Sequence, residues 1–300
     1  MTHAHHTVWL LVAAIVAGGC ERSDATRPAP TTTRSRARPQ RPVEATAAIP
    51  AVPTRVDTRL VTVRGGSYRP VFAGKGEATE VPVAPFSLEE HAVTNAQFLV
   101  FVAANPAWRR SSVKALFAED GYLRQWRGDL DHGPGIGVSP VTHVSWFAAR
   151  AYAQWIGRRL PTLAEWEYAA AANETELQAR DEPAFVQRML DWYGRPTPDV
   201  PAPVRSTFRN AHGAWDMHGL VWEWLEDFNS ALVTGESRGD SGLERKLFCG
   251  SGSVGAADPS DYAAFMRFAF RGSLRASYVV KNLGFRCAED LPATAVSETR

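Results

Sequence analysis

The residues best suited to chemistry lie in 210–228, NAHGAWDMHGLVWEWLEDF. Its core, Gly219-Leu220-Val221-Trp222-Glu223-Trp224, carries two of the ten tryptophans of the chain. Turn formers (His212-Gly213, Met217-His218-Gly219) and the acids Asp216, Glu223, Glu226 and Asp227 flank them. Large rings fixed in loop-like backbone either wall a site or hold a loop-rich core, and we expect one of Trp222 and Trp224 in each role. His212 and His218, six apart across a turn, offer with Asp216 a three-ligand set for a metal that takes nitrogen and oxygen donors. His91, His132 and His143 form no His-x-x-x-His pair, and His143 is expected to hydrogen-bond within the core.

The remaining chemistry rests on Cys20, Cys249 and Cys287. Cys20 follows an apolar run, 8–17, that is too short to span a bilayer, and the small residues Ala17-Gly18-Gly19. This pattern is similar to a bacterial lipoprotein signal over 1–19, with lipidation at Cys20, and implies a periplasmic protein anchored to a bacterial membrane, the outer one favoured. Cys249 and Cys287 then remain, and in an oxidising compartment they can form a structural disulfide, act as a redox pair or bind a metal.

A chain of 300 residues with 45% apolar content and a formal charge of +1 has enough apolar residues for one large core or two modest ones. The arginines of 20–58 (Arg22, Arg27, Arg34, Arg36, Arg38, Arg41, Arg55) sit in a Pro/Thr/Ala mixture with no interleaved aromatic. That composition describes a solvated tether and argues against a nucleic-acid partner. A folded domain is expected over 59–290, followed by a tail over 291–300.

Within the domain, Leu60-Val61-Thr62-Val63 alternates like a half-buried strand, and 81–88 gives a second. Thr94 with Gln97, and Thr162 with Glu165, are capping boxes, and Ser145 caps a helix over 146–156. The third helix is expected to run through Ala172, with a short one over 184–190 and a strand over 265–271. A long irregular stretch, 108–141, must be packed by its own aromatics, Phe117, Tyr122 and Trp126.

Five motifs in order, Val93-Thr94-Asn95, 140–146 (PVTHVSW), 159–169 (RLPTLAEWEYA), Gly219 to Trp224 and 282–287 (NLGFRC), resemble the formylglycine-generating enzyme (sulfatase-modifying factor) superfamily. The resemblance implies a single α+β domain of the C-type-lectin-like kind, low in regular secondary structure, with a surface groove. It places Ser253, Trp222, Arg267, Cys249 and Cys287 as candidate catalytic positions, and Glu223, Arg271 and Arg286 as lining or bracing the groove. It also implies a structural Ca2+ held by Asp216 and Glu223 carboxylates and the Gly219 and Val221 carbonyls, although Leu220 stands where the family has Asn. The formylglycine enzymes hold copper on two cysteines just ahead of an Arg-x-x-x-Arg segment, here Arg267 to Arg271. The residues before it, 254–266, contain no cysteine, with Asp258 and Ala263 near the thiolate positions. Copper is therefore not expected at that position.

The finer likeness is to the NirV-type branch, exported proteins encoded beside copper nitrite reductase. It implies an accessory or maturation role with a periplasmic protein partner. A formylglycine-type oxidase using Cys249 with Cys287, and a lectin-fold module for a small ligand or glycan, are the two alternatives.

Overall fold

Three helices begin where side chains can satisfy their first backbone N–H groups. The structure, a computed structural model, describes residues 56, 58–70, 80–229 and 259–291. In α1 (Asn95–Ala104) the Thr94 hydroxyl accepts the Gln97 N–H, and Gln97 Oε1 accepts the Thr94 N–H at 2.8 Å. In α2 (Trp146–Trp155) Ser145 Oγ accepts from the Ala148 N–H at 3.2 Å. In α3 (Leu163–Ala170) Thr162 and Glu165 form the second reciprocal box, and the helix ends two residues before the expected Ala172. α4 (Pro183–Tyr193) starts on a proline, whose missing N–H costs nothing in the first turn, and runs beyond the expected 184–190.

The fifth helix corrects an expectation. Residues 265–271 lie inside α5 (Pro259–Gly272), not in a strand. The segment Met266-Arg267-Phe268-Ala269-Phe270-Arg271 alternates in polarity, which reads as period two. Within it Arg267, Phe268 and Arg271 are buried while Met266, Ala269 and Phe270 are only partly buried, a spacing of one, three and four that fits a helix face and not strand alternation. The helical period prevails because it sets both arginines on one face.

The strands are short. β1 (Leu60–Val63) and β4 (Phe86–Glu89) pair antiparallel with Leu60 opposite Glu89, and β7 (Ala288–Asp290) pairs with the other edge of β4. β2 (Gly66–Tyr68) and β3 (Val81–Val83) form a second antiparallel pair. The single strand expected over 81–88 is broken between β3 and β4 at Ala84-Pro85. β5 (Trp222–Glu223) and β6 (Leu283–Gly284) make a parallel pair that joins two of the sequence motifs. At Gly284 an added Cβ would fall 2.7 Å from the Val141 carbonyl oxygen, so only glycine fits this close approach. The result is the α+β domain of modest regular structure that the sequence implies.

An aromatic cluster fills the centre. Phe98 stacks on Tyr152 with centroids 5.7 Å apart, and Phe285 meets the edge of Tyr152 at 5.3 Å. The irregular stretch 108–141 is held to this core by one side chain as well as by its aromatics. Buried Asn95 donates from Nδ2 to the carbonyls of Ile136 (3.0 Å), Ser139 (3.0 Å) and Pro140 (3.1 Å), and its Oδ1 accepts from Trp126 Nε1 at 2.8 Å. Asn95→Ala removes the side-chain partner of the Pro140 carbonyl and of Trp126 Nε1, while the Ser139 and Ile136 carbonyls keep the backbone N–H groups of residues 95 and 139. It should cost about 2–4 kcal/mol, read from the urea midpoint, with faster amide exchange concentrated in 108–141. Unchanged exchange there would contradict this anchoring role.

The expected signal segment, most of the linker, the tail beyond residue 291, Cys20, Cys249 and Ser253 lie outside the described residues.

Candidate functional site

Two buried charge clusters brace the tryptophan turn. In the first, Glu167 on α3 accepts from Arg267 Nε at 3.0 and 3.1 Å, from Arg267 Nη2 at 2.8 Å and from Arg271 Nη1 at 2.5 Å. Arg267 and Arg271 stand one turn apart on α5, which is the spacing needed to reach one carboxylate. Burial alone would push the Glu167 carboxyl up, but the two guanidiniums overcome it and hold it at about 2. Arg267 Nη1 also donates to Tyr193 Oη at 3.2 Å, and the Arg271 guanidinium lies 4.6 Å over the Trp166 ring.

In the second cluster, Glu223 on β5 receives Arg286 through Nε (3.0 and 2.9 Å) and Nη2 (2.8 Å), and both side chains are 0% exposed. Trp166 Nε1 adds a donor to Glu223 Oε2 at 2.7 Å. Arg286 further donates to the carbonyls of Glu89, Glu90 and Trp215. A guanidinium that satisfies one carboxylate and three carbonyls is a bracket between β4, β5 and the 210–228 loop.

The two tryptophans of the turn part company. Trp224 is fully buried, donates to the Val144 carbonyl at 2.9 Å and meets Phe228 edge-on. Trp222 is only partly buried and lies among Tyr193 (5.0 Å, stacked), Trp192 (5.1 Å) and Phe270 (4.7 Å). A pocket of about 240 Å³ opens beside Trp222, with Trp192, Pro196, Pro198, Leu220 and Asn282 in its wall. One ring therefore serves the core, and the other forms a wall.

The proposed metal sets do not assemble. Asp216, in left-handed backbone at φ 58°, accepts from the Arg205 N–H (2.5 Å), the Thr207 N–H (2.9 Å) and Thr207 Oγ1 (2.8 Å). Its carboxylate ties the turn to 205–207, while that of Glu223 faces Arg286. Neither is left to join the Gly219 and Val221 carbonyls around Ca2+, so the residues present do not fit that ion. The His212, His218 and Asp216 set fails for the same reason. His218 is buried with Nε2 3.0 Å from the Ala170 carbonyl, and burial pushes its pKa down to about 3. Among the described residues no three His, Cys, Asp or Glu groups converge as a metal site. His143 is buried in left-handed backbone at φ 55°, and burial, then Arg124 and Lys281, push it down to about 4.

Cys287 is the one cysteine among the described residues, a free thiol at 0% exposure. Burial first, and the charge of Glu89 second, push this thiol well above its ordinary value. It is neither open to the pocket beside Trp222 nor a thiolate, so it does not by itself fit Cu(I). Its pairing with Cys249 lies outside the described residues. Glu167, the partner of both α5 arginines, was missed in the sequence. Its signal is a carboxylate set between Trp166 and Tyr168 on a helix otherwise rich in apolar residues, which demands a basic partner.

The comparisons agree with this architecture. The formylglycine-generating enzyme of Streptomyces coelicolor is 33% identical over 280 residues, covering 78% of this chain and 88% of that enzyme. The inactive C-alpha-formylglycine-generating enzyme 2 of Mus musculus is 30% identical over 254 residues, covering 72% of this chain and 78% of that protein. The serine/threonine-protein kinase pkn1 of Chlamydia caviae is 31% identical over 182 residues, which are 59% of this chain but only 29% of the kinase. Residues 45–291 match the sulfatase-modifying factor enzyme 1-like domain, and the chain belongs to that family.

Proposed function

We propose that this chain is an exported, lipid-anchored accessory or maturation protein. It holds a segment of a periplasmic protein partner against Trp222, and the partner is copper nitrite reductase, as the likeness to the NirV-type branch suggests. One observation carries the reading. The polar groups that the family places at its groove are turned inward here: Arg267 and Arg271 onto Glu167, and Arg286 onto Glu223. What faces the pocket is an aromatic wall, suited to recognition by burial and stacking. Fold alone does not decide activity, and relatives named as enzymes and as inactive proteins both occur.

A second reading has its own support in the 33% identity to a formylglycine-generating enzyme. In that case the chain is an oxidoreductase acting on a protein cysteine, and its redox group is Cys249 with Cys287. The third, a lectin-fold module for a glycan, rests on the same aromatic wall.

The test of the partner is capture from periplasmic extract on the immobilised full chain, with wild type and Trp222→Ala side by side. Copper nitrite reductase should be enriched on wild type and reduced roughly tenfold or more on Trp222→Ala, as expected for an aromatic hot spot. Retention of glycans without any protein specific to Trp222 would contradict the proposal.

A further inference from the structure

A second cavity, of about 630 Å³, lies on the other side of Arg267, between α3, α4 and the β2–β3 pair. Its volume is in the range that holds a small molecule. Its charges are arranged by depth. At the floor lie Arg267 and Glu167, and behind them Arg271 donates to the same carboxylate, with side-chain exposures of 7%, 4% and 2%. Across the connected network three buried arginines face two buried glutamates, since Arg286 and Glu223 neutralise each other. Within the Glu167 cluster itself two buried guanidiniums thus meet one carboxylate. Buried charges are costly unless paired, so this floor favours an added anionic group.

The rim has the opposite sign. Glu80, Glu176, Asp181 and Glu182 line it against Arg69 and Arg180, and Arg69 is already held by Asp181 at 3.2 Å. Two buried hydrogen-bonding atoms in the cavity's residues also lack partners, Tyr68 Oη and His218 Nδ1. Tyr68 is 8% exposed and His218 3% exposed. The Tyr68 hydroxyl can donate. Neutral His218 gives its one N–H from Nε2 to the Ala170 carbonyl, so its Nδ1 can only accept. Phe185, Met189 and Ala179 supply an apolar wall.

We propose that this cavity binds a small zwitterion of the α-amino acid type, with its carboxylate toward Arg267 and Tyr68, its ammonium toward the acidic rim and an apolar side chain against Phe185 and Met189. This site does not depend on the partner reading above. The hydrogen bond from Arg267 to Tyr193 links it to the Trp222 wall.

The test is calorimetric titration of the full chain with L-methionine and L-leucine, with their N-acetyl and amide derivatives, and with inorganic phosphate. The free amino acids should bind. Blocking either the ammonium or the carboxylate should weaken binding about tenfold or more, as loss of a charge-assisted hydrogen bond does. Tyr68→Phe keeps the ring and removes only an unpartnered hydroxyl. It should weaken amino-acid binding about tenfold while leaving the unfolding midpoint of the unliganded protein unchanged or raised. No binding at millimolar amino acid to folded wild type would overturn the proposal. So would equal affinity for the blocked derivatives, preference for phosphate, or unaltered binding to Tyr68→Phe.

Discussion

Glu167→Gln should destabilise the domain by about 3–5 kcal/mol, the cost of removing one partner from a buried ion cluster. The substitution keeps the shape of the side chain but leaves Arg267 and Arg271, both nearly inaccessible, without their carboxylate. The loss should depend on pH in a defined way. Glu167 titrates near 4.5 when unperturbed and at about 2 in the fold. A depressed carboxyl stabilises the fold fully above the unfolded value and loses that contribution as pH falls through the folded value. The gap in urea midpoint between wild type and Glu167→Gln should therefore be widest above about pH 4.5 and shrink steadily toward pH 2. A gap that widens on acidification would contradict this assignment of the charge.

Arg286→Met should have an effect of the same size for a different reason. Among the described residues Glu223 would keep only the Trp166 N–H as a partner, and the carbonyls of Glu89, Glu90 and Trp215 would lose a donor each. We expect a loss of about 3–5 kcal/mol, or no soluble folded protein. Arg286→Lys should recover little, because an ammonium cannot present the planar fork that meets both Glu223 oxygens and the carbonyls. The double variant Arg286→Met with Glu223→Leu should be more stable than Arg286→Met alone, since no charge is then stranded. Strict additivity of the two single effects would show that the pair is not coupled.

These two clusters also show what could be read from the chain and what could not. The helix starts at Thr94, Ser145 and Thr162 were legible because a cap is decided by residues within four positions. The split between Trp222 and Trp224 was expected from large rings fixed in a turn, not from strand alternation, which sets residues two apart on the same face; β5 ends at Glu223 and Trp224 lies beyond it. Which ring served the core was not legible, because it depends on the Val144 carbonyl, 80 residues away in sequence. The strand expected over 265–271 failed where two periods coincided, and the winning one was set by Glu167, 100 residues from Arg267. The calcium and histidine sets failed for a related reason. Asp216 and Glu223 have the right chemistry and spacing for a cation, but donors from outside the turn reach them first, Arg205 and Thr207 at Asp216 and the distant Trp166 and Arg286 at Glu223.

As proposed above, the chain recognises a protein without oxidising it. The most direct test is mass measurement of a Cys-x-Pro-x-Arg peptide after incubation with the purified full chain, copper and oxygen. An unchanged peptide mass is expected. The mass loss of cysteine-to-aldehyde conversion would contradict it and move the chemistry to Cys249 and Cys287.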